Sequence, residues 1–245
     1  MEEKIIKGIK YQLDERKLTA KVIRKRGYFG DIVIPETVVS KKVSYKVTTI
    51  GYAAFENCES LTSIIIPKSV RLIEGFAFKG CKYLTSINIP HGRVVGHCSM
   101  NLGGIYDPYI HSDTVKDIKS SAFEDCESLT SINIIGVYDI GRSAFKNCKS
   151  LTSISIPYWV KSLNESTFEG CESLKSITIM GTINIGRFAF KNCKSLTFLN
   201  DLFAKLKCID EGAFSGCTSL LAIHIRNSVI SIGAGAFSNC ESLTY

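Results

Sequence analysis

The stretch Leu61-Thr62-Ser63-Ile64-Ile65-Ile66-Pro67-Lys68-Ser69-Val70-Arg71-Leu72-Ile73-Glu74-Gly75-Phe76-Ala77-Phe78-Lys79-Gly80-Cys81 decides the fold. Ile64 and Ile66 alternate with residues of the opposite face, the period-two signature of a short strand. Pro67, with no N–H to donate, ends the pairing. Val70 and Ile73 then mark a second short extended segment. Phe78, Cys81 and Leu84 follow at i, i+3 and i+6, on one side of a single helical or 3₁₀ turn. Such a unit has one apolar face and nothing of its own to bury it against.

The unit recurs. A small residue and Phe, with Cys three residues on and Leu three later, occurs eight times, at Phe55, Phe78, Phe123, Phe145, Phe168, Phe190, Phe214 and Phe237. The second extended segment returns as Val115/Ile118, Val137/Ile140, Val160/Leu163, Leu206/Ile209 and Val229/Ile232. Successive Phe residues are 22 to 24 apart, except for one interval of 45 between Phe78 and Phe123. Forty-five is 22 plus 23, which predicts a ninth, degenerate unit near 91–112 with Met100 in the Phe slot, Gly103 in the Cys slot and Tyr106 in the Leu slot. Stacking buries the apolar faces: strands of successive coils pair in parallel about 4.8 Å apart, and Phe, Cys, Leu and Ile form columns. The expected architecture over 47–245 is a right-handed solenoid of about nine 22–24-residue units, with parallel short strands joined by short helical or 3₁₀ turns.

Residues 1–46 lack the repeat. Ile5 to Leu13, Leu18 to Ile23 and Ile32 to Val39 read as strands separated by charged or Gly-containing turns. They are expected to form a β-rich N-terminal cap over the first coil's open edge.

Composition agrees with this architecture and excludes others. A 45% hydrophobic share over 245 residues provides ample core, so neither disorder nor a disulfide miniprotein fits. Thirty basic against 23 acidic side chains give +7, spread along the chain rather than gathered into blocks, and no nucleic-acid partner is expected. No apolar run approaches the ~20 residues of a membrane-spanning helix, so no membrane insertion is expected. The opening Met1 to Lys10 lacks the apolar stretch of a secretory signal. The eight phased cysteines form no Cys-x-x-Cys pair and read as buried free thiols acting as small hydrophobes. Cys208 replaces Thr49, Asp117, Asp139, Ser162, Asn184 and Ser231 of other units, so it is expected to be the exposed, reactive thiol.

The consensus of the repeat, Leu-Thr-Ser-Ile-x-Ile-Pro-x-Ser-Val-x-x-Ile-Gly-x-x-Ala-Phe-x-x-Cys, resembles the BspA-like class of leucine-rich repeats. The resemblance covers 47–245, and Gly30 to Pro35 with Ser44 to Ile50 look like that family's amino-terminal lead-in. It implies a right-handed leucine-rich repeat solenoid on a bacterial or protist cell-surface or secreted protein that binds host or neighbouring-cell proteins. The competing reading is an intracellular or structural scaffold, and a glycan-binding surface is a third.

Residues one and four after Phe alternate in charge from unit to unit: Glu56/Glu59, Lys79/Lys82, Glu124/Glu127, Lys146/Lys149, Glu169/Glu172, Lys191/Lys194. Glu124 is expected beside Lys146 and Glu127 beside Lys149. Each such surface pair is worth at most ~1 kcal/mol and serves register more than stability.

The repeat's exceptions are the candidate binding residues. Tyr158-Trp159 stands where other units carry Lys68-Ser69 or Asn227-Ser228, so it is either packing over the stack edge or an exposed anchor. Tyr106, Tyr109 and His111 read as an aromatic protrusion of the degenerate unit. The outward strand positions form a small polar ladder that includes Asn88, Asn133, Ser155, Thr178, Asn200 and His224. His91, His97, Cys98 and His111 match no standard zinc spacing, so no metal or other cofactor is expected. There is no Gly-x-Ser-x-Gly, phosphate-cradling loop or His-Glu-x-x-His, and near-identical units offer no desolvated acid–base pair. The chain therefore reads as a non-enzymatic, monomeric recognition or adhesion module with a protein ligand.

Overall fold

The computed structural model describes residues 1–89, 115–181, 183–198, 206–223, 225 and 227–244. Six strands open the chain: β1 (Glu2–Ile6), β2 (Ile9–Asp14), β3 (Thr19–Val22), β4 (Gly30–Val33), β5 (Thr37–Ser40) and β6 (Val43–Ile50). β1, β2 and β3 are antiparallel neighbours. The extended run expected over Ile5 to Leu13 is instead a hairpin, because Lys7 and Gly8 both take positive φ (47° and 81°), as a type I′ turn requires.

From β3 onward the direction changes to parallel. β3 pairs with β6, β6 with β8 (Leu72–Ile73), then β10 (Asp117–Ile118) and β11 (Asp139–Ile140). The same wall continues as β13 (Ser162–Leu163), β15 (Ile183–Ile185), β16 (Leu206–Ile209) and β17 (Ser231–Ile232). A second wall holds β4, β7 (Leu61–Ile65) and β9 (Ser86–Asn88), then β12 (Ser153–Ile156) with β14 (Ser176–Ile179). The fold is thus the expected solenoid of parallel strands, and cap strands extend both of its walls.

The third side of each coil carries the Phe column. Consecutive rings from Phe55 to Phe237 stack with centroids 5.1–5.5 Å apart and planes within 9°. Tyr28 of the cap closes the column 4.6 Å from Phe55, its hydroxyl accepting from the Lys10 N–H and donating to the Ile23 carbonyl. Backbone bonds tie the turns together as well: the N–H of each Phe, from Phe55 to Phe214, donates to the residue preceding Phe in the next coil, at 2.7–2.9 Å.

Two expectations are corrected. The Phe78 and Phe123 rings are 5.2 Å apart, Ile73 pairs with Ile118, and the Cys126 thiol donates to the Phe78 carbonyl at 3.2 Å. Those coils are immediate neighbours, so no ninth coil stands between them, and among the described residues the stack has eight phased units; residues 91–112 lie outside the described part of the chain. Nor is the connection helical, since among the described residues there is no helix. The residues two before and two after every ladder Phe have φ between 50° and 74°, from Ala53/Asn57 to Gly235/Asn239. Left-handed residues at that interval interrupt any helical run and leave separate turns, each closed by bonds such as Cys58 N–H to Phe55 carbonyl.

Candidate functional site

The wall formed by β4, β7, β9, β12 and β14 presents a regular outward surface. Its inward residues Ile64, Ile87, Ile154 and Ile177 are buried. The outward ones face solvent in register: Ile65 beside Asn88, and Ser155 beside Thr178. Asn133 is exposed and its side-chain oxygen accepts from the Ile135 N–H. Threonine hydroxyls along the same wall donate back into the stack, Thr85 to the Thr62 carbonyl, Thr130 to Thr85 and Thr152 to Thr130. The ladder is therefore held rigidly, with its own backbone supplying the bonds.

This face changes character towards the cap. Val33 pairs with Ile65, and the two are 63% and 45% exposed, with Phe29 at 75% nearby in sequence. Asp31 lies between Phe29 and Val33 and accepts from the hydroxyls of Thr62 and Ser63, which hold its carboxyl below the usual range, the Ser63 bond contributing most. The apolar end was missed in the sequence because Phe29 and Val33 precede the repeat. Only the pairing of β4 with β7 aligns them with Ile65.

The second feature is an aromatic corner after β12. Tyr158 is exposed, and Trp159 is half-buried with its ring stacked 5.8 Å from Tyr138 of the preceding coil. Tyr158 meets Trp159 edge-on at 5.1 Å, with the Lys161 ammonium 4.4 Å above the Tyr158 ring and Lys116 6.0 Å from Tyr138. Trp159 thus packs along the stack, and Tyr158 projects from it. Tyr138 and the two lysines were not singled out in the sequence; they belong to the site because they occupy one row across three coils. Tyr106, Tyr109, His111, Asn200 and His224 lie outside the described residues, as do the other histidines of the considered metal cluster.

The charge lattice is present with one difference in partners. Lys149 reaches Glu127 at 3.1 Å as expected, and Lys82 and Lys194 likewise reach back to Glu59 and Glu172. Glu124, however, pairs with Lys79 of the coil before it, and Lys146 reaches forward to Glu169, each at 2.9 Å. Alternation puts a lysine on either side of Glu124, and the row nearer Phe pairs forward where the outer row pairs backward.

The thiols are structural. From Cys81 to Cys240, each ladder thiol donates to the carbonyl of the preceding coil's Phe at 3.0–3.2 Å. Burial pushes these thiols up, Cys171 to about 12. Cys208 pairs in register with Ser231, the equivalence expected from its position, but it is half-buried rather than exposed.

The sequence profile of the BspA type leucine rich repeat region matches six copies, over residues 35–101, 107–202 and 183–245. The chain belongs to this family. Among solved structures, this BspA-type chain is similar to a leucine rich cell surface protein from Faecalibacterium prausnitzii, with 28% identity and a TM-score of 0.68 over 100% of this chain and 54% of that one. It thus spans about half the length of that relative. A leucine rich repeat protein of T. pallidum shares the fold at 23% identity and a TM-score of 0.63, over 99% of this chain and 91% of that one. No curated protein matches the BspA-type chain. Among the described residues no helix is long and apolar enough to cross a membrane.

Proposed function

We propose that the chain is a non-catalytic recognition module of a cell-surface protein, binding a protein ligand on the outward face of β4, β7, β9, β12 and β14. The observation that carries this reading is the exposed Val33–Ile65 pair at the cap end of an otherwise polar, stack-rigid ladder. Apolar side chains fixed by the sheet lose little freedom on docking, and a patch with a polar surround is what protein interfaces use. Asn88, Asn133, Ser155 and Thr178 supply the polar remainder. The cell-surface location is supported by the likeness to the F. prausnitzii cell surface protein.

The test is binding to an array of purified extracellular-matrix and host-surface proteins by the wild type and the V33K/I65K double variant. A ligand bound by the wild type and lost in the variant, at unchanged Tm, is the expected result. Binding that ignores this substitution places recognition elsewhere. Absence of any ligand rejects the adhesion reading in favour of a scaffold.

A further inference from the structure

The aromatic corner continues as a line of cations. Lys116, Lys161 and Lys207 each follow the first apolar residue of the second extended segment in their coils (Val115, Val160 and Leu206). The pairings of Ile118 with Ile140, Leu163 with Ile185 and Ile185 with Ile209, together with the Asn164 amide donating to the Ile140 carbonyl, place these coils two apart. At ~4.8 Å per coil, the three lysine positions recur about every 10 Å along one edge. Tyr138 occupies the same row between Lys116 and Lys161.

No described carboxylate lies within ion-pair distance of these three lysines. The acids of the adjacent row, Asp117 and Asp139, are instead shared by Lys119 at 3.7 and 3.3 Å. Nearly every Lys and Glu of the Phe-side lattice is paired, so this row differs from that lattice. Between the cations stand the Tyr138, Trp159 and Tyr158 rings. On the following coil Tyr158 is flanked by Gly181, where even a Cβ would overlap the Tyr158 carbonyl. The Tyr158 ring itself is 53% exposed, with the Lys161 ammonium 4.4 Å above it and donating to the Tyr158 carbonyl at 3.0 Å.

We propose that this edge binds a linear acidic polysaccharide with one carboxylate per disaccharide. The carboxylates meet successive lysines two coils apart, and the apolar face of a sugar packs against the exposed part of Tyr158 beside the Lys161 ammonium, where the amphipathic ring suits a ligand that is apolar on one side and hydrated on the other. Isolated exposed charges contribute little each, so affinity requires the row as a unit. This site is separate from the Val33–Ile65 face and stands or falls independently of it.

The experiment is calorimetric titration of the full chain with a hyaluronan octasaccharide at low salt. Controls are a neutral N-acetylglucosamine oligomer and polyaspartate. The expected result is saturable binding of hyaluronan, none of the neutral oligomer, and weaker binding of polyaspartate. Affinity should fall at least about tenfold in K116Q/K161Q/K207Q and in Y158A, with Tm unchanged and V33K/I65K as the wild type. No binding of hyaluronan overturns the proposal, as does equal binding of polyaspartate, which would make the edge an acidic-peptide site. Binding that survives both sets of substitutions overturns it too.

Discussion

At the residue scale, the least expected requirement is backbone conformation two residues after each Phe. The position holds Asn57, Gly80, Asp125, Asn147, Gly170, Asn192, Gly216 and Asn239, the residue types that tolerate the left-handed region. Glycine there answers two constraints at once. Gly170 has φ 74°, and a Cβ on it would run into the side-chain amide oxygen of Asn147 in the coil before. Gly170→Ala should therefore destabilise by more than the ~1 kcal/mol of a conformational penalty alone. Adding Asn147→Gly should recover the steric share, a coupling of about 0.5 kcal/mol or more in a denaturant double-mutant cycle. Additive effects would contradict the contact. Phe76 and Phe188 adopt the same left-handed region two before the ladder Phe, each with a cation over its ring.

At the element scale, the coil is stable only through its neighbours. Phe145 is fully buried between Phe123 and Phe168, each 5.4 Å away. Phe145→Ala should cost about 3–5 kcal/mol through the cavity it leaves. Because the lesion is mid-stack, it should also divide the cooperative unit, seen as a broadened or two-step urea transition. An unchanged midpoint would contradict the stacking. The columns are legible in the sequence because Phe, Cys and Leu recur at fixed spacing. The turn connecting them is not: an i, i+3, i+6 apolar pattern is shared by a helix and by successive separate turns, and only φ distinguishes them. The 45-residue interval misleads for a similar reason, since its arithmetic fits a ninth coil while the rings of Phe78 and Phe123 are in direct contact.

At the scale of the whole molecule, the cysteine column makes stability depend on pH. Burial raises the thiols of Cys81, Cys126, Cys148, Cys171, Cys193 and Cys217 above their ordinary value. A group whose folded pKa is raised contributes stability below its unfolded pKa and loses it as pH climbs towards the folded value. The loss should begin near pH ~8.5, where thiols of the unfolded chain ionise, and each buried thiol steepens it by up to ~1.4 kcal/mol per pH unit. Urea titrations from pH 7 to 11 should show falling stability, with a shallower slope in Cys171→Ala. A flat profile would mean that the thiols ionise in place.

The sequence by itself determined the repeat, its apolar columns, the parallel stacking and the family, because one-faced units of constant length have only stacking as a way to bury that face. It also marked Tyr158 and Trp159 as departures from the pattern. Tertiary structure decided which coils are neighbours, which lysine each glutamate takes, and that Val33 joins Ile65 or Lys116 lines up with Lys161 and Lys207. Those contacts join residues tens of positions apart, and their partners follow from backbone register, which no single unit carries within itself.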